Sequence, residues 1–399
     1  MSITRRRFLA SASALGVSAA CGLPSLAASV SHRAEGQAPS PATAGQTKDM
    51  GLQPGATVVP SQLPTIREAA RNQGLLVGCA VNIHALQTDA AYAQLVKTQA
   101  NILVAENSMK FGPIHPGIDK FAFDEPDFLF SFAQANGMLV RGHNFVWHRQ
   151  IPKWFDGYAN AQNAASILVD HIQTVGGRYA GRVHSWDVVN EAIHVEDGKP
   201  GGLRDSAWFK LLGPGYLDLA FTTARRVDPA ALLCYNDYGI EGEAPDQAAK
   251  REAVLKLVRG MRTRGVPIDA VGVQSHISAG GNARYGPGLT AFMNEIQSMG
   301  LKILLTEMDV NDRALGADVK QRDNIVGATY YQYLKLTLAN PAVIAALTWG
   351  ITDKYTWLNG EDSRADKLPE RALPFDADLQ PKLAYVGEVQ AIVDATHRG

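Results

Sequence analysis

Two glutamates, Glu191 and Glu307, stand where the sequence is best suited to chemistry. Glu191 ends the apolar run VHSWDVVNE (183–191), and Glu307 ends the run KILLTE (302–307). Such runs are typical of strands that are buried on both faces, as in parallel sheets. Catalytic groups of parallel α/β barrels gather at the carboxyl ends of the strands. Two carboxylates brought together there have the chemistry that hydrolysis of a glycosidic bond requires.

Eight short apolar runs predict the strands that position these carboxylates. They span residues 75–81, 101–105, 137–143, 183–190, 231–237, 269–276, 302–307 and 343–349. Segments with helical spacing lie between several of them, at 91–100, 164–179, 216–227, 248–265, 289–300 and 321–339. This alternation predicts an α/β protein with a single (β/α)8 TIM barrel. A doubly wound sheet is the alternative, which the absence of GxGxxG after the first run disfavours.

Polar or aromatic residues follow the second to the eighth predicted strands. They lie in ENSMK (106–110), RGHNFVWH (141–148), NE (190–191), YNDY (235–238), QSH (274–276), EMD (307–309) and at Trp349 and Trp357. Residues that serve only stability do not favour one rim of a barrel. The pattern therefore indicates a functional site at the carboxyl rim.

These ordered motifs resemble those of a known enzyme family. ENSMK, RGHxxVWH, WDVVNEA, YNDY, VGxQSH, TEMDV and TWGxTDKYTW occur in this order in the glycoside hydrolase family 10 endo-β-1,4-xylanases, and the resemblance extends over residues 62–395. It implies a (β/α)8 barrel, retention of anomeric configuration and xylan as substrate. By position, it implies that Glu191 is the general acid/base and Glu307 the nucleophile. Retention by double displacement requires two carboxyl groups about 5–5.5 Å apart.

Three neighbours of the glutamates are expected to support catalysis. Asn190 adjoins the acid/base, where its amide is suited to bond the 2-hydroxyl of the sugar. His276 and Asp309 are expected to form a hydrogen-bonded relay that keeps Glu307 ionised and oriented. The structural alternatives are a strand-end cap for Asn190 and a satisfied core histidine for His276.

The resemblance also implies which residues contact the sugars. They are Glu106, Asn107, Lys110, His143, Trp147, Tyr238, Gln274, Trp349 and Trp357. Lysine and carboxylate groups suit vicinal hydroxyls, and indoles stack on the apolar face of a pyranose. Trp349 and Trp357 are expected to cover the sugar on the non-reducing side and leave little room for a hydroxymethyl on C5. Core packing is the alternative for these tryptophans, and a buried, bonded hydroxyl is the alternative for Tyr238.

The first 60 residues predict an export leader and a linker. Residues 1–28 carry RRRFL (5–9) before a small, weakly apolar stretch, which resembles the twin-arginine signal peptide of bacteria; an ordinary secretory signal is the alternative. Residues 29–60 lack apolar periodicity and predict a flexible, disordered linker, so the barrel domain is expected at 61–396. We therefore expect recognition by the twin-arginine export machinery and a periplasmic or extracellular location.

Composition and residue spacing limit the partners, disulfides and metal sites that the chain can have. The 399 residues carry a formal net charge of −1 with no basic stripe, which does not suggest nucleic-acid binding. No apolar stretch is long and charge-free enough to span a membrane stably. Cys79 and Cys234 lie in the first and fifth predicted strands, on opposite barrel walls, which predicts free thiols. The spacing of His143 and His148 fits neither HExxH nor a facial triad, so we expect no metal and no cofactor. We also expect the protein to be a monomer.

Three functions remain as candidates. The first is a retaining endo-hydrolase of β-1,4-xylan. The second keeps the fold and reaction but takes another β-1,4-glycan or short xylo-oligosaccharides, because loop lengths decide endo against exo action. The third is a non-catalytic sugar-binding barrel, which loss of either glutamate would favour; both are present.

Overall fold

The computed structural model describes residues 63–280, 284–360 and 363–398. Nine β-strands of these residues form the centre of the fold. In chain order they are β1 (Leu76–Val81), β2 (Ile102–Ala105), β3 (Leu139–Val146), β4 (Ser185–Asn190), β5 (Leu232–Asp237), β6 (Ala270–Val273), β7 (His276–Ser278), β8 (Lys302–Asn311) and β9 (Val343–Thr348). The predicted signal peptide and linker, and the start of the predicted barrel domain, lie outside these residues.

The strands close into a parallel barrel. The sheet runs in the order β6-β5-β4-β3-β2-β1-β9-β8, and β6 also pairs with β8 in parallel register, so eight strands form a ring. The short β7 pairs only with the far end of β8. The predicted (β/α)8 barrel is confirmed, and its strands all present their carboxyl ends at one rim.

Helices surround the barrel. They are α1 (Ile66–Asn72), α2 (Ile83–Thr88), α3 (Ala90–Gln99), α4 (Phe111–Ile114), α5 (Asp124–Ala135), α6 (Lys153–Tyr158), α7 (Ala164–Tyr179), α8 (Ala207–Leu212), α9 (Gly215–Val227), α10 (Pro245–Thr263), α11 (Pro287–Ser298), α12 (Val319–Leu338) and α13 (Leu383–Val393). Pro at the first position begins α10 and α11, where its missing N–H costs no helical bond. Within the described residues, no helix is both long and apolar enough to span a bilayer.

Two hydrophobic cores stabilise the barrel, one in its interior and one between its strands and the surrounding helices. Alternate residues of β2 point to opposite sides, with Ile102 and Val104 filling the barrel interior and Leu103 packing outward beneath the helices. Cys234 belongs to the interior core and Cys79 to the outer one. Both thiols are free and buried, as the sequence predicts.

The strand ends at the rim differ from the predicted runs. The sixth predicted strand, 269–276, is broken: β6 ends at Val273, Ser275 takes a positive φ of 64°, and pairing resumes at His276. Glu191, just after β4, also has a positive φ, 59°. A non-glycine residue rarely adopts this conformation, which concentrates at functional sites. These bends direct the side chains at the rim into one cleft.

Candidate active site

A cleft of about 1140 Å³ opens at the carboxyl rim of the barrel. All fourteen residues that the sequence marks as catalytic, supporting or sugar-binding line it: Glu106, Asn107, Lys110, His143, Trp147, Asn190, Glu191, Tyr238, Gln274, His276, Glu307, Asp309, Trp349 and Trp357. The fold brings them together from strands β2 to β9 and the loops that follow them. Their individual roles stay predictions, but their placement in one site is a property of the fold.

Glu191 lies in surroundings that favour its protonated form. Its Oε1 accepts hydrogen bonds from Asn190 Nδ2 at 3.1 Å and from Gln274 Nε2 at 3.0 Å. Burial raises the pKa of Glu191 above its usual range; the hydrogen bond from Gln274 partly offsets this, while the charges of Asp237 and Glu307 add to it. A carboxyl group held in this way is suited to donate a proton.

Glu307 lies in the opposite kind of surroundings. Its Oε1 accepts a hydrogen bond from Asn236 Nδ2 at 2.7 Å, and its Oε2 lies 3.3 Å from His276 Nε2. Burial alone would raise the pKa of Glu307, but the hydrogen bond and charge of His276, with the charges of His143 and Lys110, outweigh it and lower the pKa to about 2. The surroundings of Glu307 therefore favour its ionised form, the form in which a carboxylate can act as a nucleophile.

His276 carries the positive charge that Glu307 requires. Its Nδ1 lies 3.0 Å from Asp309 Oδ2, which also accepts a hydrogen bond from Trp357 Nε1 at 2.8 Å. Burial would lower the pKa of His276, but Asp309 and Glu307 together raise it well above its usual range. Glu307, His276 and Asp309 thus lie in the order that the sequence predicts, with His276 and Asp309 at ion-pair distance, and the relay itself stays a prediction.

Amide groups connect the two carboxylates. Asn190 Oδ1 accepts hydrogen bonds from Asn236 Nδ2 at 2.9 Å and from Gln274 Nε2 at 3.2 Å. Because Asn236 also bonds Glu307 and Gln274 also bonds Glu191, a continuous chain of hydrogen bonds joins the two acids. The sequence marks Asn190 and Gln274, but it gives no role to Asn236, which is visible only as a member of YNDY.

One wall of the cleft combines a buried cation with indole rings. Lys110 Nζ donates to Asn107 Oδ1 at 3.0 Å and lies 4.9 Å from the ring centroid of Trp147 and 5.4 Å from that of Trp349. Burial lowers the pKa of Lys110, against the opposing charge of Glu307 and other carboxylates. Such a wall offers hydrogen-bond donors and apolar faces to a sugar ring.

Three acidic or imidazole groups also meet the geometric condition for a metal site. His143, Asp187 and Glu307 offer ligand atoms within 4.8 Å of one another. However, His143 Nδ1 lies 2.9 Å from Asp187 Oδ2 in a hydrogen bond, and the other oxygen of Asp187 accepts a hydrogen bond from buried Arg141. The hydrogen bonds account for the close approach, and the guanidinium disfavours a cation.

Two residues that the sequence patterns do not mark contact Tyr238: Arg204, which lines the cleft, and Lys250, which does not. Arg204 donates from Nε to the carbonyl of Glu191 at 2.8 Å and from NH2 to the hydroxyl of Tyr238 at 3.1 Å. Lys250 Nζ lies 3.8 Å from the ring centroid of Tyr238 and 2.8 Å from Asp237 Oδ1. Arg204 and Lys250 come from a loop and from α10, outside any strand-end motif, so periodicity gives no signal for them.

A parallel (β/α)8 barrel whose carboxyl rim holds two buried carboxyl groups, one favoured protonated and one ionised, is typical of glycoside hydrolases. The model of the family described as Glycosyl hydrolase family 10 matches residues 65–391. The chain belongs to this family.

Relatives that are named as xylanases cover most of the chain. Endo-1,4-beta-xylanase B of Thermotoga neapolitana is 36% identical over 331 residues, which is 82% of this chain and 90% of the relative. Endo-1,4-beta-xylanase B of Paenibacillus barcinonensis is 33% identical and covers 82% of this chain and 97% of its own length. The crystal structure of xylanase 10B from Thermotoga petrophila RKU-1 in complex with xylobiose is similar with a TM-score of 0.75, at 34% identity, over 83% of this chain and 98% of that one.

Proposed function

We propose that the protein is an endo-1,4-β-xylanase that cleaves xylan with retention of configuration, with Glu307 as nucleophile and Glu191 as general acid/base. The opposite environments of the two carboxyl groups carry this proposal, because they assign a different protonation state to each. Membership of family 10 and the xylanase relatives support the substrate and the retaining mechanism.

The proposed reaction has two steps. In the first, Glu307 attacks the anomeric carbon, the bond to the leaving oxygen breaks, and Glu191 gives that oxygen its proton. In the second, Glu191 takes a proton from water, whose oxygen attacks the same carbon and releases Glu307. The pKa of Glu191 falls between the steps, because the negative charge of Glu307 disappears in the covalent intermediate.

The surrounding residues have roles that the contacts support. Asn190 presents its amide beside Glu191 and is proposed to bond the sugar 2-hydroxyl. The wall that includes Glu106, Asn107, Lys110, His143, Trp147, Trp349 and Trp357 is proposed to bind the sugar on the non-reducing side of the cut. Tyr238, which is held by Arg204, is proposed to line the side of the leaving group.

Replacement of the nucleophile tests the proposal. Glu307→Ala should abolish hydrolysis of xylan, and added azide should restore cleavage of an activated aryl β-xylobioside with a product of inverted configuration. The matched control is Glu252→Ala, because Glu252 lies exposed on α10. Xylan hydrolysis by the Glu307 variant at the rate of the control would refute the assignment.

A hydrolase of another β-1,4-glycan or of short xylo-oligosaccharides is the second candidate. The specific observation in its favour is that Trp357 is 37% exposed, which leaves part of the wall open to solvent. Chromatography of products from arabinoxylan, glucuronoxylan and mixed β-glucan, side by side, separates the candidates. Long xylo-oligosaccharides released early from both xylans support endo-xylanase action; products from β-glucan at equal rates support the second candidate.

Export is proposed from the sequence alone. The motif RRRFL (5–9) and the polar stretch 29–60 support a twin-arginine signal at 1–28, a linker at 29–60, a catalytic domain at 61–396 and a periplasmic or extracellular location. Changing Arg5 and Arg6 to Lys should cause the precursor to accumulate in the cytoplasm of a bacterial host. We also propose that the mature protein is a monomer, which light scattering after size-exclusion chromatography tests.

A further inference from the structure

The amide of Asn236 touches the surroundings of both carboxyl groups. Its Nδ2 donates to Glu307 Oε1 at 2.7 Å and to Asn190 Oδ1 at 2.9 Å, and its Oδ1 accepts from Thr306 Oγ1 at 2.7 Å. We propose that Thr306 is a positioning residue that, with the space left by Gly272, locks this amide in the one orientation that serves Glu307 and Asn190. The inference rests on the proposed role of Glu307 as nucleophile.

The chemistry of the partners fixes which way the amide points. An ionised carboxylate only accepts hydrogen bonds, so Asn236 must turn its NH2 group towards Glu307. Its carbonyl oxygen then faces Thr306, whose hydroxyl supplies the matching donor. The alternative acceptor for that hydroxyl, the carbonyl of Val273, is farther away at 3.3 Å. A reversed amide would place its oxygen against Glu307 Oε1, and two acceptors would then face each other.

The local packing leaves room for this arrangement only because position 272 is glycine. Gly272 on β6 pairs in register with Asn236 on β5. A Cβ at this position would lie 2.1 Å from Asn236 Oδ1 and 3.1 Å from Thr306 Cγ2. Any larger residue would displace the amide or the threonine, because two heavy atoms that are not covalently bonded do not approach to 2.1 Å. Asn236 and Thr306 are themselves fully buried, so water cannot replace the hydroxyl of Thr306 as the hydrogen-bond donor to Asn236.

The fixed amide of Asn236 links the surroundings of Glu307 to those of Glu191. One of its hydrogens holds Glu307, and the other holds Asn190, whose Nδ2 in turn donates to Glu191 Oε1 at 3.1 Å. If Thr306 loses its hydroxyl, no hydrogen bond to Oδ1 fixes the orientation of the Asn236 amide, and its hydrogen bonds to Glu307 and Asn190 weaken together. Glu307 then loses a donor to its ionised form, which raises its pKa.

The test compares Thr306→Val with Thr306→Ser, because valine keeps the shape and serine keeps the hydroxyl. We expect Thr306→Val to lower kcat/KM on an activated aryl β-xylobioside by about ten- to a hundredfold, as for loss of a hydrogen bond to a charged group. The acidic limb of its pH profile should move to higher pH, and Thr306→Ser should restore the limb and at least about tenfold of the rate. The control Thr263→Val, on the exposed side of α10, should change neither quantity.

Several outcomes would overturn the inference while leaving the proposed function intact. One is a native rate and an unmoved acidic limb for Thr306→Val. Another is equal damage by valine and serine, which would mean that any change of packing at this position lowers the rate and that the hydroxyl has no effect of its own. If Thr306→Val fails to fold, Thr306→Ala against Thr306→Ser gives the same contrast, and equal rates for these two would refute the lock. Failure of the proposed function would instead appear as xylan hydrolysis that survives Glu307→Ala.

Discussion

His276→Gln offers a direct way to test what keeps Glu307 ionised. The His276 ring faces Glu307 Oε2 through Nε2 at 3.3 Å and Asp309 Oδ2 through Nδ1 at 3.0 Å. Glutamine retains an N–H donor for Glu307 but cannot carry a positive charge. The substitution therefore removes the charge of His276 from the site while it keeps a hydrogen bond available.

The expected magnitude follows from the environment of Glu307. Its pKa stands at about 2, against 4.5 for a free glutamate, although burial opposes ionisation. At about 1.4 kcal/mol per pH unit, that difference corresponds to a net of about 3.5 kcal/mol, which remains after the contributions of His276, His143 and Lys110 have outweighed the effect of burial. Because His276 contributes both a hydrogen bond and a charge, we expect loss of the charge to raise the pKa of Glu307 by at least about one unit, or about 1.4 kcal/mol.

The assay is the pH profile of kcat/KM on an activated aryl β-xylobioside, from about pH 2 to about pH 8, so that it reaches the acidic limb set by Glu307. Glu307 must be ionised to attack, so a higher pKa moves the acidic limb to higher pH and lowers the rate at pH 4 more than at pH 7. The control is His84→Gln, because His84 is exposed on α2 far in sequence from the site motifs. An acidic limb that coincides with that of the control, in a folded variant, would refute the charge argument.

Three further predictions concern the acid/base, stability and sugar choice. Glu191→Gln should remove the alkaline limb of the profile and slow poor leaving groups far more than those that need no proton; equal losses would contradict general acid catalysis. Burial beside Phe111 and His115 lowers the pKa of His171 to about 3, whereas in the unfolded chain it takes up a proton below about pH 6.5. The free energy of unfolding should therefore fall as the pH drops from about 6.5 towards 3, by up to about 1.4 kcal/mol per unit, and urea titrations of His171→Leu should show a smaller fall. The native protein should prefer aryl β-xylobioside to aryl β-cellobioside by roughly ten- to two-hundredfold in kcat/KM, and Trp357→Ala should narrow that ratio; equal native rates would contradict the steric argument.

The strand pattern is the part of the fold that the sequence predicts best. Each of the eight predicted runs overlaps a barrel strand, because strands buried on both faces must be almost continuously apolar. Helices α5 and α13 are not predicted, although α5 packs against β2 and β3 and α13 packs against α1 and α12. The Leu383–Val393 helix is buried along most of its length, so it lacks the polar face that gives a clear helical period.

The sequence by itself determines the chemical groups of the site and the rim at which they meet, because a parallel barrel presents all its strand ends on one side. The protonation states are decided by the tertiary structure. Glu191 and Glu307 are the same side chain after similar strands. They differ because the hydrogen bond and charge of His276 outweigh the burial of Glu307, whereas burial outweighs the hydrogen bonds of Glu191. The roles of Asn236, Thr306, Gly272 and Arg204 likewise depend on contacts between residues far apart in the chain, which periodicity and motifs do not encode.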